Sequence, residues 1–284
     1  MSTGPIRVVT DSACDLSLEV AAENGVEVVP LTVRFGDEEL LDRRDLSPAQ
    51  FWQRLATSTV LPETAAPSPG AFEEAFTAAA EAGATGIVCV TISSALSATF
   101  QAAQLAAQNV TGTIPVQVVD SRAVTMAEGN VVLRAARVAA EGATLDEVAA
   151  AAREIVPRTR TFAALDTLEN LKKGGRIGGA QALLGSMLSI KPIIEVADGK
   201  VEPESRQRTR ARSLRYLAEK VRQSLPVADV AVMHGAAPDV GILIDLLSEL
   251  HPRDQILVGD VGAVIGTHAG PGVVGVTFTV SGGK

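Results

Sequence analysis

The sequence predicts an α/β protein, with a mainly parallel sheet and helices in its first half and a mixed α/β arrangement in its second. Three observations carry that reading. Short β-branched runs alternate with alanine-rich, helix-like segments through the first half, the pattern of parallel strands joined by crossover helices. Two of those runs, VVTDS and QVVDS, end on Asp-Ser, residue types that cap a following helix. Farther on, Asp198-Gly199 separates two strand-like segments and is the strongest short hairpin signal in the chain, so the second half holds at least one antiparallel pair.

In chain order, Ile6 to Thr10 reads as the first strand, Glu27 to Arg34 as the second and Thr85 to Ile92 as the third, followed by an alanine-rich helix from Ser97 to Gln108. Val116 to Val119 is a fourth strand, and Thr125 to Ala140 the next helix. The composition shifts at EIVPRTRT, Glu154 to Thr161, which predicts two domains, residues 1–157 and 158–284. After the shift come a strand (Phe162 to Leu165), a glycine-rich turn and an apolar helix (Ala180 to Leu188). Ile193 to Val196 and Lys200 to Glu204 form the hairpin. A helix from about Thr209 to Gln223, a strand (Val230 to Met233), a helix (Val240 to Leu250) and a strand (Ile256 to Val258) follow. The alternation of Val274, Val276, Phe278 and Val280 with smaller residues marks a terminal strand.

Composition narrows the function. With 284 residues and 46% hydrophobic content, the chain can bury a substantial core. A net charge of −8 argues against a nucleic acid partner, and 3% aromatic residues leave few stacking platforms for single-stranded nucleic acid. Cys14 and Cys89 lie far apart with no CxxC spacing, which fits two reduced thiols. The N-terminus lacks a signal-peptide layout, so the expected location is cytoplasmic. Val261 to Gly283 carries no Asp, Glu, Lys or Arg, but its glycines, Pro271 and strand-like alternation argue against a transmembrane helix.

Few motifs carry chemistry. GPGVVG, Gly270 to Gly275, matches GxGxxG in letters only, because a strand rather than a helix follows it. There is no GxxxxGK[ST] loop, so nucleotide chemistry would come from a partner. None of the three histidines has a metal-type spacing. His234 ends an apolar strand and reads as a core residue; His251 reads as a helix-end residue. His268 lies among glycines in GAVIGTHAGPG, where backbone can approach a ligand closely; function and structure are equally good accounts of it. TAAPSPG (Thr64 to Gly70) and TISSALS (Thr91 to Ser97) are hydroxyl-rich turns suited to capping or to ligand binding. KKGGRIGG, Lys172 to Gly179, offers an anion site around Arg176 or a hinge. Arg206, Arg208, Arg210 and Arg212 would share a face on a strand and spread on a helix; a solvated surface and an acidic docking partner both fit.

Taken together and in order, VTDSACDL, TAAPSPGAF, ISSALSATFQAA, VVDSRAVTMAEG, DTLENLKKGGRIGGAQALLGSMLSIKPII and VIGTHAGPGVVGV resemble the DegV family of bacterial fatty-acid-binding proteins, over nearly the whole chain. The resemblance implies two α/β domains with one long-chain fatty acid between them and no cofactor. It also implies a role as the acyl-binding, noncatalytic subunit of a two-part fatty acid kinase in phospholipid metabolism. Such a subunit presents the carboxylate to a separate ATP-dependent kinase that makes an acyl phosphate. Thr64, Ser94 or its neighbour Ser93, and His268 match the family's carboxylate ligands; Arg176 matches a head-group position and Arg208 a kinase-docking position. Ala65-Ala66 and Ala98-Thr99-Phe100 depart from the family's usual Ser-Gln and Gly-Thr-Tyr. The expected partners are the fatty acid and the kinase, with no nucleic acid, no metal and room for transient membrane contact. Ala182 to Ile194 is the most apolar candidate for the tunnel wall. Two rivals remain: a stand-alone hydrolase or acyltransferase using Ser94 and His268, and an interaction module built on the arginine run.

Overall fold

A computed structural model describes residues 5–184 and 190–281. Strand β1 (Ile6–Asp11) leads into a single 3-10 turn, then helix α1 (Leu18–Glu23), capped by the Ser17 hydroxyl, and strand β2 (Val26–Val29). Pro30 and Leu31 break the run that the sequence presents as one strand. Beyond them β3 (Thr32–Phe35) and β4 (Glu38–Leu41) leave for a different sheet. A proline has no N–H to give to a ladder, and the next amide, Leu31 N–H, donates to the Ser12 hydroxyl. Helix α2 (Pro48–Thr57) starts on a Ser47/Gln50 capping box with Pro at its first position. After β5 (Glu63–Ala65) comes α3 (Pro69–Glu81), capped by Ser68. The next elements are β6 (Gly86–Thr91), α4 (Thr99–Asn109), β7 (Val116–Asp120), α5 (Thr125–Ala140) and α6 (Leu145–Ile155).

Strands β2, β1, β6 and β7 form, in that order, a fully parallel sheet. β6 is buried along its whole length, as its unbroken apolar sequence requires of a strand covered on both faces. Phe72 and Phe76 of α3 and Ala103 and Ala106 of α4 pack on Val9, Ile87 and Cys89 on one face. On the other face, Val131 and Val132 of α5 and Val148 of α6 pack on Val8, Val88 and Val90. Three antiparallel strands, β4, β3 and β5, form a small separate sheet.

The second half supplies β8 (Thr159–Ala164), α7 (Glu169–Lys173), β9 (Lys191–Ala197), β10 (Lys200–Gln207), α8 (Arg210–Gln223), β11 (Val227–His234), α9 (Val240–Ser248), β12 (Leu257–Asp260), α10 (Ala263–Ala269) and β13 (Val274–Val280). Its strands make one mixed sheet in the order β10-β9-β8-β13-β11-β12, with β11 and β12 the parallel pair. The predicted hairpin is present: Asp198 and Gly199 both have positive φ, 50° and 79°, between paired Ala197 and Lys200. Leu214, Leu217, Leu243 and Leu247 of α8 and α9 cover one face of the sheet. The opposite face meets α5, which lies between the two large sheets. In place of the expected apolar helix, Gly178–Leu183 is a short 3-10 segment, and residues 185–188 of that prediction lie outside the described residues.

Candidate functional site

The two halves are joined by polar contacts that fix α10. Asp15, buried at the end of the turn after β1, accepts from the Gly262 N–H at 2.9 Å, from Arg43 Nη2 at 2.9 Å and from the Thr125 hydroxyl at 2.6 Å. The indole N–H of Trp52 donates to Val261 O at 3.0 Å. Phe51 and Trp52 press so closely on α10 that a Cβ at Gly266 would come within 2.6–2.9 Å of their rings, so the helix can approach only through a glycine. His268 therefore stands in the last turn of a helix held at its start. The helix ends at Ala269, and Gly270, with φ 79°, turns the chain out of it.

From there the imidazole meets the small sheet. Thr64, on β5, places its hydroxyl 2.9 Å from His268 Nε2. On the other side a Cβ at Gly174 would run into Nδ1, and Nδ1 has no hydrogen-bond partner among the described residues. Burial first, and the charge of Arg176 second, push the His268 pKa down from 6.5 to about 4. The ring is neutral at physiological pH, able to accept at one nitrogen and donate at the other.

Thr64, Arg176 and His268 line one cavity of about 180 Å³ between the two large sheets. On a measure by which one water needs roughly 10–15 Å³, that space is roomy and mostly aliphatic, walled by Leu31, Ile92, Val124, Leu165, Ile194 and Met233 among others. Arg176 follows α7, and its guanidinium is held by the carbonyls of Leu96 (Nε, 3.1 Å) and Gly174 (Nη1, 2.7 Å). Nη2 has no partner among the described residues. The structure thus brings three of the six sequence candidates together.

Ser93 and Ser94 are turned elsewhere. The Ser93 hydroxyl, buried, donates to Gly199 O at 2.7 Å, and that of Ser94 donates to the Asp120 carboxylate. Neither is on the cavity wall, whereas Ser97 is. The chain winds one turn here, with the amides of Leu96 and Ser97 both donating to Ser93 O, so the serine that faces inward is the third of the SSALS run. Sequence reasoning passed over it as a helix start. Arg208 is exposed in the turn between β10 and α8, away from the cavity. The arginine run does not share one face: Arg206 is on β10, while Arg210 begins α8 and pairs with Asp239. Gly270 to Gly275 forms a turn into β13, as a GxGxxG in letters only should. Among the described residues, no group of three or more His, Cys, Asp or Glu could hold a metal, and no helix is long and apolar enough to cross a membrane.

A second buried polar group lies beneath the parallel sheet. Asp11 accepts from the amides of Ala13 and Ile92 at 2.9 and 2.8 Å, and Glu128 of α5 lies beside it, with the Thr10 hydroxyl at 3.3 Å. Burial pushes Asp11 up to about 7 and Glu128 well above the usual carboxylate range; the charge of Asp11 raises Glu128 further, while the hydrogen bond from Glu128 lowers Asp11. Glu128 holds the proton, since Asp11 keeps two amide donors.

Comparison with known proteins places this geometry. Residues 5–281 match the family model described as "Uncharacterised protein, DegV family". The chain belongs to the DegV family. A DegV domain-containing protein of Streptomyces coelicolor is 39% identical over 278 residues, covering 96% of this chain and 98% of that protein. Another, from Deinococcus radiodurans, is 38% identical over 281 residues, covering 96% and 98%. Among solved DegV structures, "Fatty Acid Binding of a DegV family Protein from Thermus thermophilus" superposes with a TM-score of 0.89 at 33% identity, covering 98% of this chain and all of that one. DegV of Bacillus subtilis, described as a fatty acid binding protein, gives 0.86 at 28% identity over 98% and 100% of the two chains.

Proposed function

We propose that the protein binds one long-chain fatty acid, with its tail in the cavity between the sheets and its carboxylate at the Thr64, Ser97, Arg176 and His268 end. The observation that carries this reading is the Thr64–His268 contact on the wall of an otherwise aliphatic cavity. A carboxylate there takes hydrogen bonds from Arg176 Nη2, from the Ser97 hydroxyl and from the Thr64 hydroxyl, which in turn accepts from His268 Nε2–H. The tail needs only apolar contact. At about 0.8 kcal/mol per buried CH₂, a chain of about 16 carbons gives on the order of 10 kcal/mol before the costs of association. The fatty-acid-binding relatives from Thermus thermophilus and Bacillus subtilis support the reading.

The protein then acts as a carrier, and a separate ATP-dependent kinase transfers the γ-phosphoryl group to the bound carboxylate. Two features favour a partner for that step. The chain has no phosphate-binding loop of its own, and Arg208 is exposed for docking. Hydroxyls backed by a neutral imidazole, with an Arg176 guanidinium already shared with two backbone carbonyls, hold a carboxylate while leaving it nucleophilic, which an attack on phosphorus requires. The rival hydrolase needs Ser94 beside His268 and a carboxylate on Nδ1; Ser94 bonds Asp120 instead, and Nδ1 is unpartnered.

Native mass spectrometry of the purified protein, followed by denaturing lipid extraction, tests the proposal. A mass excess that is lost on denaturation and recovered as free fatty acid is the expected result. An empty protein that also fails to take up added C14 to C18 acids overturns it.

A further inference from the structure

We infer that the end of the cavity remote from Thr64 and His268 is a polar subsite that selects acyl chains bearing a hydroxyl group away from the carboxylate. This rests on the fatty-acid reading above and adds a substrate class to it. The two faces of β13 are unlike. Val274, Val276 and Phe278 pack into the core under α8 and α9, while Gly275 and Thr277 line the cavity. β8 repeats the division, with Phe162 and Ala164 in that core and Thr161 and Ala163 on the cavity. The strands pair Gly275 with Ala163 and Thr277 with Thr161, so two threonines stand directly opposite on the cavity floor.

Their position is distal. β13 starts just after α10 and His268, and β8 runs on toward α7 and Arg176. The threonine pair is therefore two residues farther from the head group than the Gly275–Ala163 pair, roughly 7 Å along the strands. At this point the wall stops being aliphatic. Thr277 is fully buried and its hydroxyl has no hydrogen-bond partner among the described residues, although valine would fill the same volume without leaving a polar atom unpaired. Thr161 is 5% exposed and makes no hydrogen bond through its side chain among the described residues. The next pair along, Thr279 and Thr159, is off the cavity wall. Thr161 and Val196 also border a second, more polar recess that includes Arg122, Arg160 and Asp198, so the distal end adjoins charged surface.

Two facing threonine hydroxyls can each give and accept one hydrogen bond. A hydroxyl on the acyl chain satisfies both at once. A second carboxylate would need a cation of its own on the wall, and the one cation among the described wall residues, Arg176, is bonded to the carbonyls of Leu96 and Gly174 and faces the head group. A plain alkyl chain leaves Thr277 unpaired, and a site with buried polar groups discriminates against the analogue that lacks their partner.

The test is competition against a fluorescent fatty acid on the delipidated full-length protein. It compares hexadecanoic acid with its 10-, 12- and 16-hydroxy derivatives. At least one hydroxy acid is expected to bind about tenfold tighter than hexadecanoic acid, the worth of one buried hydrogen bond. Thr277→Val and Thr161→Val should each erode that preference while leaving hexadecanoic acid bound as well or better. Equal or tighter binding of hexadecanoic acid than of all three hydroxy acids to the unaltered protein overturns the inference. So does a preference that survives both substitutions. Failure of every acid to bind overturns the fatty-acid reading itself.

Discussion

The Thr64 hydroxyl and His268 Nε2 are 2.9 Å apart across 204 residues of chain. One group comes from an edge strand of the three-stranded sheet and the other from the last turn of a short helix in the opposite half. Neither element can move independently without opening that contact. Thr64→Val should lower fatty-acid affinity by about 3- to 10-fold, the cost of one hydrogen bond, and His268→Ala by more. Retention of extracted lipid and titration with hexadecanoic acid measure both. Unchanged binding in the two variants would remove the head group from this end of the cavity.

Gly174 offers a test from the other side of the ring. Its φ of −75° suits any residue, so alanine adds no backbone strain. The new Cβ would nevertheless collide with His268 Nδ1 and Cε1. Gly174→Ala should cost about 1–3 kcal/mol in urea unfolding, as overpacking does, and should weaken acyl binding by displacing the imidazole. A variant as stable as the parent, with full affinity, would mean that the ring has room to retreat.

His268 also predicts a pH dependence. Its folded pKa of about 4 lies below the ordinary 6.5, so between those values the unfolded chain takes up a proton that the folded one refuses. The contribution to stability is complete above pH 6.5 and is lost as pH falls toward 4, by about 3 kcal/mol in all. The difference in unfolding free energy between the parent and His268→Asn, followed from pH 7 to pH 4, should show this slope. A flat difference would place the ring in contact with water.

The Asp11–Glu128 pair predicts the opposite sign. Glu128 is protonated in the fold and its pKa is raised, so its contribution is complete below the unfolded value near 4.5 and is lost as pH rises. Glu128→Gln keeps an acceptor for the Thr10 hydroxyl and removes the titration. The variant should match the parent at pH 4 and exceed it by on the order of 1 kcal/mol at pH 8. Guanidinium unfolding at the two pH values checks it.

Much of this was legible in the residues. The parallel strands, α5 and the Asp198-Gly199 hairpin follow from β-branched runs, alanine-rich periodicity and a dipeptide that tolerates positive φ. Thr64, Arg176 and His268 each lie in a motif that stands out locally, but only the resemblance grouped them, because nothing local announces a contact made across half the chain. The three-stranded sheet was missed because its strands are only three or four residues long, shorter than a pattern can register. Ser97 was missed because three serines in five residues are alike in sequence, and only the turn that starts at Ser93 decides which one faces the cavity.

The strand order has a consequence for synthesis. β13, the last strand, lies between β8 and β11. A nascent chain that has emerged only as far as Ala269 holds β10-β9-β8 as one block and β11-β12 as another, with no hydrogen bond ladder to connect them. It also lacks the floor on which Gly275 and Thr277 sit. Until β13 leaves the ribosome, the cavity has only part of its wall, and any acyl chain that needs both sheets must wait for that strand.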